Sequence, residues 1–208
     1  MKSLFKSIFK KNDTLTDDTS HVTDLQQGDM VELDNDFSLP ELLRGKTFQV
    51  AQKTLYEYED TEEVEWVLKS DNNDIIFMSH EEEDGEEIVS FGVKLAPSDV
   101  EAIFDLDEFA TIFDDEYSAT LRNINQSGPH EAWLGKLYSR TEFGEPGFFH
   151  KSGVTQGKGE AFDYFSLDSD CEGFSIGIEV WDGGETDVIL SMNKPLSIIK
   201  NYWNTQDK

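Results

Sequence analysis

The first candidates for a chemical function are four acidic residues that lie close together in the sequence. Asp168, Asp170 and Glu172 are followed by Gly173 and, after five further residues, by Glu179. This is the spacing of a calcium-binding EF-hand loop, in which oxygen ligands surround the ion. An EF-hand also needs a helix on each side, whereas the flanking residues here are typical of strands and turns. We therefore predict an acidic hairpin turn, with weak Ca²⁺ binding by Asp168, Asp170 and Glu172 as the alternative.

The other residue types that carry out chemistry are dispersed along the chain. The histidines are His21, His80, His130 and His150, none of them in an H-x-H or H-E-x-x-H pattern, and Cys171 is the one cysteine. This distribution argues against a dedicated zinc site, which needs several such ligands at short spacing. We therefore predict no catalytic residue, no metal ligand and no cofactor.

The charge of the chain restricts its partners. Its 208 residues include 44 acidic and 17 basic side chains, for a net charge of −27. Such a charge keeps a protein in solution and repels nucleic acid and anionic membranes, so we expect no direct nucleic acid binding. A single cysteine excludes an internal disulfide and fits a reducing compartment such as the cytoplasm.

Residues 1–11, MKSLFKSIFKK, differ from the rest of the chain because they carry four lysines and no acid. On a helix the apolar side chains fall in one arc and Lys2, Lys6 and Lys10 in another. We predict a basic amphipathic helix that lies in the interface of an anionic membrane. The alternative is a terminus whose lysines are neutralised by the acidic body. The predicted membrane-binding residues are Lys2, Leu4, Phe5, Lys6, Ile8, Phe9, Lys10 and Lys11.

The rest of the chain divides into a linker and two units, and the predicted fold class is α+β, mostly β. Residues 12–24 are polar and without periodicity, which is typical of a flexible linker. Residues 25–95 contain five short apolar runs separated by turn signals, which predict a small barrel-like all-β unit. Its acidic runs, residues 57–65 and 81–87, are interpreted as solvated loops or guards of an edge strand. Residues 96–208 are predicted to form an α+β unit.

The α+β unit is predicted to begin with helical structure. Pro97 precedes a capping box of Ser98 and Glu101, which predicts the start of a helix. The apolar residues that follow indicate either one kinked helix or two short ones. At the end of the chain, the apolar residues after Pro195 predict a short helix over residues 195–203.

An antiparallel meander over residues 162–192 is predicted to organise this unit. Its three aromatic and β-branched runs are separated by clusters of Asp, Gly and Ser. The alternation of apolar residues pairs Val180 with Val188 and Ile178 with Leu190, across an odd-numbered loop. A register slip of one residue would turn every side chain to the wrong face.

Three stretches of the first unit carry a resemblance to a known family. They are LQQGDMVELD (residues 25–34), LRGKTFQVAQKTLYEYE (residues 43–59) and EVEWVLKSD (residues 63–71). In these stretches the unit resembles the bacterial family called domain of unknown function 4178, and the second half looks like the region that accompanies it in longer members. The family has no assigned activity. The resemblance implies no catalytic residues, and partners among membrane-stress and membrane-organising proteins.

Three functions follow as hypotheses. The leading one is a non-enzymatic cytoplasmic interaction protein, a peripheral adaptor in bacterial membrane stress that binds another protein and touches the inner membrane through residues 1–11. The second is an acidic body that imitates nucleic acid and occupies a basic partner. The third is an enzyme with a pocket lined by His130, His150 or Glu179. A deep cavity in which titratable groups converge would count against the adaptor. The oligomeric state is left open.

Overall fold

The protein is built on an antiparallel β-sheet with a few short helices. The computed structural model describes residues 21–203 apart from positions 84, 117, 126, 156 and 172. Strands make up 52% of the structure, so the prediction of a mostly β protein with short helices is confirmed. The elements are β1 (Met30–Leu33), β2 (Thr47–Glu57), β3 (Glu62–Lys69), β4 (Ile75–Glu83), β5 (Glu86–Lys94), α1 (Pro97–Ile103), α2 (Leu106–Ala110), β6 (Thr120–Arg122), β7 (Leu137–His150), β8 (Glu160–Ser169), β9 (Phe174–Trp181), β10 (Thr186–Pro195) and β11 (Ile199–Trp203).

The predicted membrane-binding residues lie outside the described part of the chain. They are Lys2, Leu4, Phe5, Lys6, Ile8, Phe9, Lys10 and Lys11. Among residues 21–203, as described, no helix combines the length and the apolar character that crossing a bilayer requires.

The sheet runs in the order β11-β1-β2-β3-β4-β5-β10-β9-β8-β7-β6. The end of β2 also pairs with the end of β7, where Leu55 lies opposite His150, so the sheet bends into a partial ring. The sheet also crosses the predicted boundary after residue 95, because β5 pairs with β10 and Phe91 lies opposite Met192. The strands of the two predicted units thus share one hydrogen-bonded sheet.

Strands β8, β9 and β10 form the predicted meander, but one hairpin has a different register. Val188 lies opposite Ile178, whereas it was predicted to pair with Val180. The shift is two residues, which leaves every side chain on its predicted face. The loop is odd-numbered as expected, since the Trp181 N–H donates to the Glu185 carbonyl across three intervening residues. Gly184, with φ of 80°, supplies the left-handed conformation that this short loop requires.

One face of the sheet packs into the hydrophobic core. Trp66 is 2% exposed, and its Nε1–H donates to the Leu25 carbonyl oxygen at 3.1 Å. Val22 is fully buried in a 3₁₀ turn at Val22–Asp24. The prediction of a flexible linker over residues 12–24 is therefore wrong for its last residues, because apolar side chains there join the core. Residues 12–20 lie outside the described part.

The helical predictions are correct in part. Two short helices form, α1 and α2, which is one of the two alternatives stated. The first begins after Ala96, whose N–H donates to Asp99 at 3.3 Å, so the predicted capping box of Ser98 and Glu101 is not the cap. The predicted C-terminal helix is wrong. Strand β11 forms instead because β1 offers a free edge, along which Tyr202 lies opposite Val31.

Candidate functional site

The face of the sheet opposite the core carries small and polar side chains. Ser79 lies opposite Ser90 on β4 and β5, and Ser175 lies opposite Ser191 on β9 and β10. Neighbouring residues along a strand point to opposite faces. The buried residues next to these serines, such as Met78, therefore point into the core. The small side chains leave room within the partial ring for a cavity of about 340 Å³.

This cavity has an unusually one-sided charge. Seven strands or their ends contribute to it, and Glu179 is 8% exposed. No Lys, Arg or His is among its described lining residues. Its ionisable and aromatic side chains are Glu63, Glu65, Glu81, Asp168, Glu179, Tyr56, Tyr58 and Tyr164. The described walls thus offer hydrogen-bond acceptors and negative charge, and they contain no basic side chain.

Two carboxyl groups deep in the cavity prefer their protonated form. Burial raises the pKa of Glu65 to about 8, and the charge of Glu179 adds to the rise. The Thr54 hydroxyl, which donates to Glu65 Oε1 at 3.2 Å, opposes it. Burial likewise raises the pKa of Glu179 to about 7, against a hydrogen bond donated by the Tyr56 hydroxyl. Near neutral pH the pair therefore holds protons that a bound cation would displace.

The tyrosines of the cavity stay neutral. Burial raises the pKa values of Tyr56, Tyr58 and Tyr164 above the ordinary value, and neighbouring carboxylates raise them further. The Tyr164 hydroxyl lies against Gly177, where a Cβ atom would stand 3.2 Å from its oxygen. The tyrosines thus contribute aromatic faces and hydroxyl groups, both of which are suited to a cationic ligand.

A second cavity, of about 370 Å³, adjoins the first. The two share Tyr56, Glu65 and Glu179, so the carboxyl pair lies between them. The second cavity differs in having lysines in its wall, and one of them, Lys94, is paired with Asp187 at 2.6 Å. The positive charge of Lys94 also acts on Glu179, whereas the described lining of the first cavity contains no lysine.

Aromatic rings support the carboxyl pair from one side. Tyr56 packs edge to face against Phe162 with ring centroids 5.5 Å apart, and Phe162 contacts Trp181 at 5.3 Å. The Phe162 ring lies over Gly147, where a Cβ would stand 2.9 Å from the ring atom Cε1. This packing restrains Tyr56, which in turn restrains the Glu179 carboxyl group.

The residues suggested for an enzyme pocket lie at separate places. His130 lies 3.5 Å from Asp99 beside a groove of its own. His150 is 4% exposed, and its Nε2 lies 2.7 Å from Glu57 Oε2. Glu179 alone of the three lines the cavity described above.

Asp168 and Asp170, two of the acidic residues with EF-hand spacing, lie in and beside the turn between β8 and β9, in agreement with the predicted hairpin. Asp168 is in β8 and lines the cavity, while Asp170 accepts a hydrogen bond from the Leu137 N–H at 3.4 Å. Glu172 lies outside the described residues. Strands enter and leave this turn, so the helix pair of an EF-hand is not formed there.

Sequence reasoning missed the cavity because it treated residues 57–65 as a solvated run. Residues from Glu62 onward belong to β3, and Glu63 and Glu65 point into the cavity. The signal was present in the alternation of these two acids with Val64 and Trp66, which is the period of a strand with one polar face.

Comparison with protein-family models, with curated proteins and with solved structures gave no match to this chain. The resemblance to domain of unknown function 4178 therefore stays a prediction.

Proposed function

We propose that the protein binds a small organic cation, with one or two ammonium groups, in the cavity between Glu65, Glu179 and the tyrosines. The observation that carries the proposal is the lining: five carboxyl groups and three tyrosines with no basic side chain among the described residues. A volume of about 340 Å³ is within the range of small-molecule sites. Carboxylates complement ammonium groups, and tyrosine faces attract them further.

The raised pKa values make binding dependent on pH. A cation binds the ionised carboxylates, so its affinity rises with pH as Glu179 ionises near pH 7 and Glu65 near pH 8. Below those values each binding event must release protons. The heat of binding then depends on the ionisation enthalpy of the buffer.

Isothermal titration of the full-length protein with putrescine and n-butylamine, at pH 6 and pH 8.5, tests the proposal. The neutral diol 1,4-butanediol is the matched ligand control. Glu65→Gln keeps the oxygen that accepts from Thr54 but removes the charge, and is expected to weaken diamine binding by at least about tenfold. Glu101→Gln, an exposed site on α1, is the control variant. Equal affinity of Glu65→Gln and wild type, or no saturable binding of either amine, would refute the proposal.

The membrane adaptor is kept as a second proposal because residues 1–11 have a basic amphipathic sequence. The cavity in which Glu65 and Glu179 converge counts against it. Cosedimentation with anionic vesicles, with and without residues 1–11, tests it, and equal behaviour of the two proteins would remove the membrane part. The nucleic-acid mimic is supported by the net charge alone.

A further inference from the structure

A different group of side chains meets on the other face of the β4–β5 hairpin. His80 on β4, Glu87 on β5 and His21 before β1 bring three potential ligand atoms within 4.8 Å of one another. Glu81 and Ile88, the next residues along each strand, line the acidic cavity. Because consecutive residues of a strand point to opposite faces, this group is separate from that cavity.

The three side chains converge on one carboxylate oxygen. His21 Nε2 lies 2.5 Å from Glu87 Oε1, and His80 Nε2 lies 3.3 Å from the same oxygen. The two imidazole rings pack edge to face with centroids 5.3 Å apart. One oxygen is therefore approached by two nitrogens from different parts of the chain.

His80 shows that the arrangement is incomplete. Its side chain is 10% exposed, and its Nε2 atom is buried without a hydrogen-bond partner of acceptable geometry among the described residues. A buried polar atom without a partner disfavours the folded state, so native structures contain few of them. A cation placed among the three side chains would coordinate this nitrogen.

We propose that His21, His80 and Glu87 bind a divalent transition metal ion of the zinc class. Two imidazole nitrogens and one carboxylate oxygen are ligands that zinc accepts, with water in the fourth position. Tetrahedral bonds of about 2.0–2.2 Å separate ligand atoms by roughly 3.4 Å. The His80 to Glu87 distance already matches this spacing, and the closer His21 ring needs a small rotation outward.

Thr23 orients the first imidazole for this role. The Thr23 N–H donates to His21 Nδ1 at 3.4 Å, and the Thr23 Oγ1 lies 3.0 Å from the same nitrogen. A metal at Nε2 needs the proton on Nδ1, and the Thr23 hydroxyl is placed to accept a hydrogen bond from that N–H. The ion would link the 3₁₀ turn at Val22–Asp24 to the β4–β5 hairpin.

Titration of chelator-treated, full-length protein with Zn²⁺ tests the site. Excess Ca²⁺ is included so that surface carboxylates are occupied by an ion that prefers oxygen. We expect one equivalent to bind with a Kd of about 1 μM or tighter. Co²⁺ in the same site is expected to give the visible absorption of a four-coordinate ion.

His80→Gln and Glu87→Gln are each expected to weaken Zn²⁺ binding by about 100-fold or more. His130→Gln, which changes a histidine beside Asp99 at another place, is the matched control and should bind as wild type. Glu87 is more exposed than His80, so Glu87→Gln keeps the test decisive if His80→Gln fails to fold. The proposal is overturned if no equivalent binds more tightly than about 100 μM, or if Glu87→Gln binds Zn²⁺ as well as wild type does.

Discussion

Replacing Glu179 by glutamine is expected to stabilise the protein, and to do so increasingly as the pH rises. Glu179 is 8% exposed, and burial raises its pKa from 4.5 to about 7. Between these two values the folded protein holds a proton on Glu179 that the unfolded chain has released. The folded state then binds more protons than the unfolded state, so the free energy of unfolding falls as the pH rises.

The size of the effect follows from the difference between the two pKa values. A rise from 4.5 to about 7 is 2.5 units, which corresponds to a cost on the order of 3 kcal/mol once the group is fully ionised. At pH 5.5, which is one unit above the ordinary pKa of 4.5, the cost is only about 1.4 kcal/mol. Glutamine carries no charge and keeps an oxygen that accepts from Tyr56. The advantage of Glu179→Gln should therefore grow by about 2 kcal/mol between pH 5.5 and pH 8.5.

Urea denaturation at pH 5.5 and pH 8.5 measures the difference in the free energy of unfolding. Both pH values lie above the isoelectric point of about 4.2, at which the protein would lose solubility. Glu101→Gln removes an exposed carboxylate and controls for the change in net charge. Its difference from wild type should stay nearly constant with pH. An advantage of Glu179→Gln that is equal at both pH values, or a loss of stability at pH 8.5, would refute the reasoning.

Two further predictions concern packing. Gly135→Ala is expected to lower the free energy of unfolding by about 2 kcal/mol or more, since its Cβ would stand 2.7 Å from Ser169 Cβ, whereas Gly183→Ala, with nothing within 4 Å, should change it little. Thermal denaturation of the two variants compares them directly, and equal effects would contradict the close contact. Trp66→Phe removes part of a buried ring and the hydrogen bond to the Leu25 carbonyl. Urea denaturation should show that the free energy of unfolding falls by about 2 kcal/mol. A decrease below about 0.5 kcal/mol would contradict this role of Trp66.

The acidic cavity is expected to weaken the fold that contains it. Burying Glu65 and Glu179 side by side costs folding free energy at neutral pH, because each carboxyl group loses hydration and each disfavours the charge of the other. Substitution by glutamine would relieve both costs without changing the shape of the side chain. A stabilised but non-binding variant is the combination expected if these acids serve a ligand.

Local sequence patterns determined the secondary structure of the meander, the faces of its strands and the odd-numbered loop of its last hairpin. Each depends on alternation and turn residues within a few positions of one another. The register of that hairpin could not be predicted from the sequence, because pairing Val188 with Ile178 or with Val180 buries the same faces. The C-terminal strand was also missed, because it depends on the free edge of β1, which lies some 170 positions away in the chain.

The sequence by itself determined the strong negative charge, the mostly β composition and the basic character of residues 1–11. Only the tertiary structure decided which charges meet. Glu65 and Glu179 are far apart in the chain, as are His21 and Glu87, and each pair is joined by strand pairings that close the sheet into a partial ring. Burial raises the pKa values of these acids and leaves the His80 nitrogen without a well-formed hydrogen bond to any described residue. Burial results from the closure of the sheet and cannot be predicted from residue spacing.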